Sequence, residues 1–336
     1  MAGWNLKFGE LKDQDVSEER YWSLFNFAFS DGSRKRNTYK FGLIKSILDN
    51  LFNGTDTDAG FYISYYDLFA KFAENYWNLV VKYDLRQMRK DSKSELSKIE
   101  IILKSAVKKN EILGNLEFES ISSQQKEQII QKVAQECKRC VVGALYEDFD
   151  GTLYGFILRD SGIYLSYRAY EFILKYKVEI ENLNYYAWAK FLEKINNDDA
   201  LIRVIDKLEL STPRRNNLSV YREILRKEFQ ECNCFYCGKQ LHKAVHVDHL
   251  IPWSFVKDDK IWNFVLACPS CNTKKNNRVP GRDYIIRLEN RNKRIQLFDN
   301  VIVQADFKVY SDDLLARMWQ YAKMSGIKEF DGAENI

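Results

Sequence analysis

The chain has 336 residues, enough to bury a sizeable apolar core without disulfide support. Lys plus Arg number 51 against 47 Asp plus Glu, and a net charge of +4 is too small to point to a nucleic-acid partner by itself. No segment reaches the roughly 20 uncharged apolar residues of a membrane span, and residues 1–20 hold no apolar run of signal-peptide length, so a soluble cytoplasmic protein with no membrane partner is expected. Of seven cysteines, four fall into two Cys-x-x-Cys pairs within one short region, a spacing that favours metal over disulfides.

In chain order, apolar residues recur at three- and four-residue spacing in Tyr21 to Phe29, Tyr39 to Leu51, Tyr65 to Tyr83 and Ile99 to Val107, which predicts helices. The aromatic run Phe61 to Phe69, continuing through Tyr76 and Trp77, reads as the buried face of a helix bundle. Gly151 to Leu165 changes to β-branched, aromatic and Gly residues, predicting a hairpin that turns at Asp160-Ser161-Gly162. Helices are expected again from Arg168 to Ile195 and from Val220 to Glu231, with a polar linker at Thr212 to Asn217 between them. Beyond Arg282, a helix, a strand pair at Ile295 to Val309 and a last helix at Asp312 to Met324 are expected. Cys137 and Cys140 also have Cys-x-x-Cys spacing, but no second pair lies near and the context is helical. Arg34-Lys35-Arg36 reads as a solvated loop.

The chemistry concentrates between Cys234 and Lys275. Cys234, Cys237, Cys268 and Cys271 form two pairs separated by 30 residues, and each pair suits a knuckle giving two thiolates to a tetrahedral zinc. Four sulfurs leave no open position, so this zinc is expected to be structural, with Cys232 spare. Asp248-His249 follows a short alternating stretch on which neighbouring side chains point to opposite faces. A carboxylate there can hold a hard divalent cation while the imidazole activates water. The three histidines, His242, His246 and His249, all lie within eight positions, and His242 and His246 read as structural or substrate-contacting. Asn272 directly follows the last cysteine, where its amide oxygen can complete the cation site opposite Asp248. Lys274 and Lys275, near a helix start, would attract phosphate, and Arg278 and Arg282 continue the basic stretch.

These motifs resemble the HNH endonuclease family, whose pattern runs Cys-x-x-Cys, Asp-His-x-x-Pro, a central Asn, then Cys-x-x-Cys followed by His or Asn. With Asn272 in the last position this is a His-Asn-Asn variant. Val247 to Asp259 with Asn263 and Asn272 also resembles the HNH domain of CRISPR effector nucleases, while the four-Cys zinc with a following Asn is similar to phage Holliday-junction resolvases of the ββα-metal class. The resemblance implies that Asp248 and Asn272 ligate Mg²⁺ or Mn²⁺, that His249 is the general base, and that Asn263 holds the loop between two strands. It implies hydrolysis leaving 5′-phosphate and 3′-hydroxyl ends.

The resulting expectation is an α+β protein: a mainly helical recognition or regulatory domain with a small hairpin (1–211), a ββα-metal HNH module with structural zinc (218–281), and a short α/β extension (282–336) that packs back on the N-terminal region. Thr38-Tyr39-Lys40-Phe41, opening a helix, resembles bacterial HNH proteins of restriction and anti-phage type, so the expected activity is cleavage of duplex DNA in such defence, with an activating protein partner or a homo-oligomer. Two other readings stay open: a non-catalytic zinc-stabilised nucleic-acid-binding protein, and a nuclease acting on RNA or branched DNA.

Overall fold

A computed structural model describes residues 6–12, 15–90, 95–110, 112, 116–209, 218–228, 232–242 and 244–330. The chain divides into two compact units, Met1–Pro213 and Arg214–Ile336. The expected linker at 212–217 lies outside the described residues. Among them, no helix is long and apolar enough to cross a membrane.

The first unit runs β1 (Phe8–Gly9), α1 (Glu18–Phe29), α2 (Tyr39–Asp49), β2 (Thr55–Thr57), β3 (Gly60–Ser64), α3 (Tyr65–Trp77), α4 (Lys98–Lys109), α5 (Ser123–Asp148), β4 (Tyr154–Ile157), β5 (Gly162–Leu165), α6 (Tyr167–Lys175), α7 (Lys177–Glu193), α8 (Asp198–Leu201) and α9 (Val204–Glu209). Local chemistry marks several starts. Ser17 caps α1 ahead of Glu18 and Glu19, and Ser97 with Glu100 forms a capping box on α4, pairing amides that would otherwise be orphaned. Helix α2 is buried on nearly every side, including Phe41, Leu43, Ile44 and Ile47, which makes it the centre of the unit.

The hairpin expected at 151–165 is the middle of a five-stranded antiparallel sheet, ordered β1-β4-β5-β3-β2. The aromatic run read as wholly helical begins as a strand, because Phe61 and Ile63 alternate inward against Leu165 and Ile163 before the cap at Ser64 starts α3. Gly60 has φ +130°, and a Cβ there would lie 2.2 Å from the Leu165 carbonyl oxygen, so this crossing needs glycine. The helix expected from 168 to 195 is split at Tyr176.

Charge is also buried at the centre. Lys45 pairs with Asp49 one turn on and lies 3.3 Å from Glu181, all three at most 3% exposed at the side chain. Burial works against the ammonium, but Asp49, Tyr185 and Glu181 more than offset it and raise its pKa. Cys137 faces this interior from α5, where burial pushes its thiol up to about 12, the state of an inert structural cysteine.

The second unit runs α10 (Ser219–Glu228), β6 (His246–His249), α11 (Trp253–Val256), β7 (Phe264–Ala267), α12 (Pro269–Lys275), β8 (Val279–Pro280), α13 (Arg282–Ile295), α14 (Val301–Asp306), α15 (Asp312–Met324) and β9 (Glu329–Phe330). The strand pair expected at 295–309 is not formed. Asn300 accepts from the amides of Ile302 and Val303, and this cap turns the apolar run into α14. The strand of the extension is instead β9, which pairs in parallel with β8 through Val279↔Glu329 and Pro280↔Phe330.

The extension belongs to the core of this unit. Buried Arg291 donates to the carbonyls of Ile261 and Phe264 at 3.2 and 2.7 Å, and Asn292 donates to Trp262 O at 2.9 Å. The Trp262 indole donates to Asp306 O, and Asp306 Oδ2 accepts from the Ile261 amide. Together these bonds clamp the segment leading into β7.

Candidate active site

The site is built on a two-stranded antiparallel pair and one short helix. Strands β6 and β7 pair through His246↔Ala267, Val247↔Leu266, Asp248↔Val265 and His249↔Phe264. Helix α12 then starts at Cys268, with Pro269 at its first position where a missing N–H costs nothing.

Four sulfurs hold the two ends together. The Sγ atoms of Cys234, Cys237, Cys268 and Cys271 all lie within 4.8 Å of one another, and Cys237 and Cys268 are 4.0 Å apart. A tetrahedron with bonds of about 2.3 Å has edges of about 3.8 Å, so the group fits zinc. Gly238, at φ +72°, makes the first knuckle turn back with its amide on Cys234 O at 2.9 Å. Backbone amides of Cys268 and Cys271 point at the sulfurs of Cys234 and Cys268, each at 3.4 Å. Burial raises the thiols of Cys234 and Cys271, and a divalent cation bound between the four sulfurs would supply the charge that favours the thiolates. Cys232 stands outside the group.

Alternation along β6 puts His246 and Asp248 on one face and His249 on the other. Residues three apart on a helix share a face, and α12 lays Asn272 and Lys275 along the first of these. The amide Nδ2 of Asn272 is 3.0 Å from His246 Nδ1, which leaves its Oδ1 for another partner. Lys275 Nζ lies 3.4 Å from Asp248 Oδ2 and donates to the carbonyl of His249. Asp248 Oδ2 also accepts from Tyr236 OH at 2.6 Å. Both contacts of the carboxylate fall on Oδ2, so one carboxylate oxygen and one amide oxygen remain, the hard donors that Mg²⁺ or Mn²⁺ requires.

The side chain of His249 is 4% exposed. It packs edge-on against Trp253 and Phe264, with centroids 5.1 and 4.5 Å away, and its Nε2 is 3.0 Å from Asp259 Oδ1. A carboxylate only accepts, so Nε2 carries the proton and Nδ1 is the basic nitrogen. Asn263, fully buried, donates from Nδ2 to Ile251 O and accepts at Oδ1 from Ile251 N, both at 2.9 Å. It thereby fixes the turn that follows His249.

The basic residues separate. Lys274, Arg278 and Arg282 are exposed. Lys275 is fully buried, so the expected surface contact with phosphate is corrected to an internal cation holding β6 against α12. Two residues with no role assigned from sequence join the site: Asp259, on His249, and Tyr236, on Asp248. Asp259 sits in a Lys257-Asp258-Asp259-Lys260 run that reads as an ordinary solvated charge cluster, so little in the sequence marked it. Tyr236 carried no signal, because its reach to Asp248 depends on how the first knuckle folds onto β7.

A cleft of about 260 Å³ opens beside this face, lined by Ser219 and Arg222 of α10, by His246 and by Asn272 among others. Residues 234–278 match the family model described as HNH endonuclease. No curated protein and no solved structure matches the chain. The family match and the four-sulfur cluster fall on the same residues, and the second unit therefore contains an HNH endonuclease domain with a four-cysteine cluster that fits zinc.

Proposed function

We propose that the chain is a metal-dependent endonuclease that hydrolyses phosphodiester bonds of duplex DNA. The observation that carries this reading is that α12 lays Asn272 and Lys275 along the face of β6 bearing Asp248, next to a histidine whose Nε2 is committed to Asp259. Zinc binding alone requires none of these four groups.

In this reading His249 takes a proton from water through Nδ1, and Asp259 holds the ring and steadies the imidazolium that results. Asp248 and Asn272 hold Mg²⁺ or Mn²⁺, which when bound supplies charge to stabilise the attacked phosphate and the departing 3′-oxygen. Asn263 keeps the turn after His249 in register, and Lys275 keeps β6 and α12 together. Lys274, Arg278 and Arg282 offer exposed charge to the phosphates on either side. Restriction or anti-phage defence in the cytoplasm, with an activating protein partner or self-association, is the setting we propose, supported by the resemblance at Thr38 to Phe41; a drop in phage plating efficiency on cells expressing the wild type but not His249→Ala tests it.

One observation favours a second reading. With its side chain 4% exposed, His249 is nearly closed off, as in a binding module that does not cut. Supercoiled plasmid, linear duplex, single-stranded DNA and RNA incubated with Mg²⁺ or Mn²⁺ separate the two. Cutting by wild type and not by zinc-loaded His249→Ala supports the nuclease, binding without cutting by either protein supports the module, and equal cutting removes the mechanism.

A further inference from the structure

A second cleft, of about 380 Å³, lies where α12 ends, and its far wall comes from the loop after α15. Its lining includes Asn276, Asn277, Arg278, Ser325 and Lys328 and contains two cations and no carboxylate. Ser325 to Lys328 stand outside the matched 234–278 segment, so this wall is a feature of the chain's own extension.

The walls are fixed by backbone. The Val279 amide donates to Lys328 O at 2.9 Å at the head of the parallel β8–β9 pair, and the Trp319 indole donates to Pro280 O at 2.8 Å. Asn277 Oδ1 accepts from Ser254 Oγ at 2.6 Å, which leaves the Nδ2 donors of that amide for a ligand. Among the described residues, no carboxylate pairs with Arg278 or Lys328, and both are exposed. Such a set of cationic and amide donors suits an anion with several acceptor oxygens.

Four residues of helix, about 6 Å at ~1.5 Å per residue, separate Asn272 from Asn276. One strand of duplex DNA carries a phosphate every ~3.4 Å of axis, so the cleft lies about two phosphates from the cation site. We propose that it binds the phosphodiester backbone of the DNA strand flanking the scissile bond, with Lys328 and Arg278 as its cations. The proposal rests on the nuclease reading of the neighbouring site for its choice of ligand.

The test measures binding of the zinc-loaded full chain to a duplex DNA oligonucleotide without Mg²⁺ or Mn²⁺ across a salt series, alongside cleavage with Mg²⁺. Lys328→Gln is expected to weaken binding about three- to ten-fold and to lower the slope of log affinity against log salt by about one. Lys328→Arg should restore the slope, and Lys308→Gln, an exposed charge elsewhere in the unit, should leave it unchanged. Arg278→Gln repeats the measurement from the opposite wall should Lys328→Gln lose zinc. Wild-type slopes in both wall variants, or an equal drop in Lys308→Gln, would overturn the subsite while cleavage keeps the nuclease reading intact. A Lys328 effect without cleavage by wild type removes the nuclease and overturns the proposal as well, since no scissile bond is left for the cleft to flank. An effect on duplex RNA alone overturns DNA as the ligand, and a wild type that neither binds nor cuts overturns both.

Discussion

The two units bury charge for different ends. In the first, Lys45, Asp49 and Glu181 neutralise one another inside a broad aromatic core containing Phe41, Tyr76, Trp77 and Trp188. In the second, Lys275 is buried just as deeply, but against Asp248 and the His249 carbonyl, so the same device holds β6 against α12. The supports differ too. The first unit has five strands and long helices, whereas β6 and β7 have four residues each, a pair too small to stand without a staple. The four-cysteine cluster, which fits zinc, and the clamp from α13 and α14 provide it.

Removing a zinc ligand should break the comparison most sharply. Cys271→Ser is expected to abolish zinc binding and the melting transition of the second unit, since zinc in such sites supplies on the order of 10 kcal/mol. The transition of the first unit should stay, and a single merged transition in calorimetry would contradict independent stabilisation. His249→Ala comes next, with cleavage reduced by about 10²–10⁴ and zinc content and melting unchanged; a loss below about ten-fold would remove His249 as the base.

Lys45→Met tests the other unit. It leaves two buried carboxylates facing each other and should cost about 3–5 kcal/mol in the first transition alone. At about 2–4 °C per kcal/mol for a unit of this size, the shift is easily read, and one under 2 °C would show that the network contributes nothing net.

The last effect is a pH dependence. Glu74 has its carboxyl raised from 4.5 to about 8, chiefly by burial, with Lys71 at 3.1 Å opposing. The native state then keeps a proton that the unfolded chain releases, so stability of the first unit falls as pH rises between those values. Glu74→Gln should melt higher than wild type at pH 8 and lose that advantage by pH 5. A constant difference across the range would mean that the carboxyl titrates normally.

Much of the site was legible in the sequence because its parts are local. The cysteine spacing specifies two knuckles, and Asp248-His249 on an alternating strand must divide its side chains between two faces. Helix boundaries such as those of α4 and α15 follow from capping serines and periodicity. The partners escaped notice where contact crosses a turn: Asp259 meets His249 ten residues back, and Tyr236 meets Asp248 from the opposite knuckle. Lys275 looked like its neighbour Lys274, since two adjacent lysines differ only in which side of the helix packs.

The sequence by itself determined which four cysteines cluster and the order of strand, strand and helix, because these depend on spacing along the chain. Only the tertiary structure decided that β3 leaves the aromatic run to join a sheet, that residues 301–306 form a helix, and that the extension clamps the segment leading into β7. Short apolar runs satisfy strand and helix alike, and the choice falls to whichever surface covers them, here Leu165 and Ile163 for β3 and the Trp262 segment for α14.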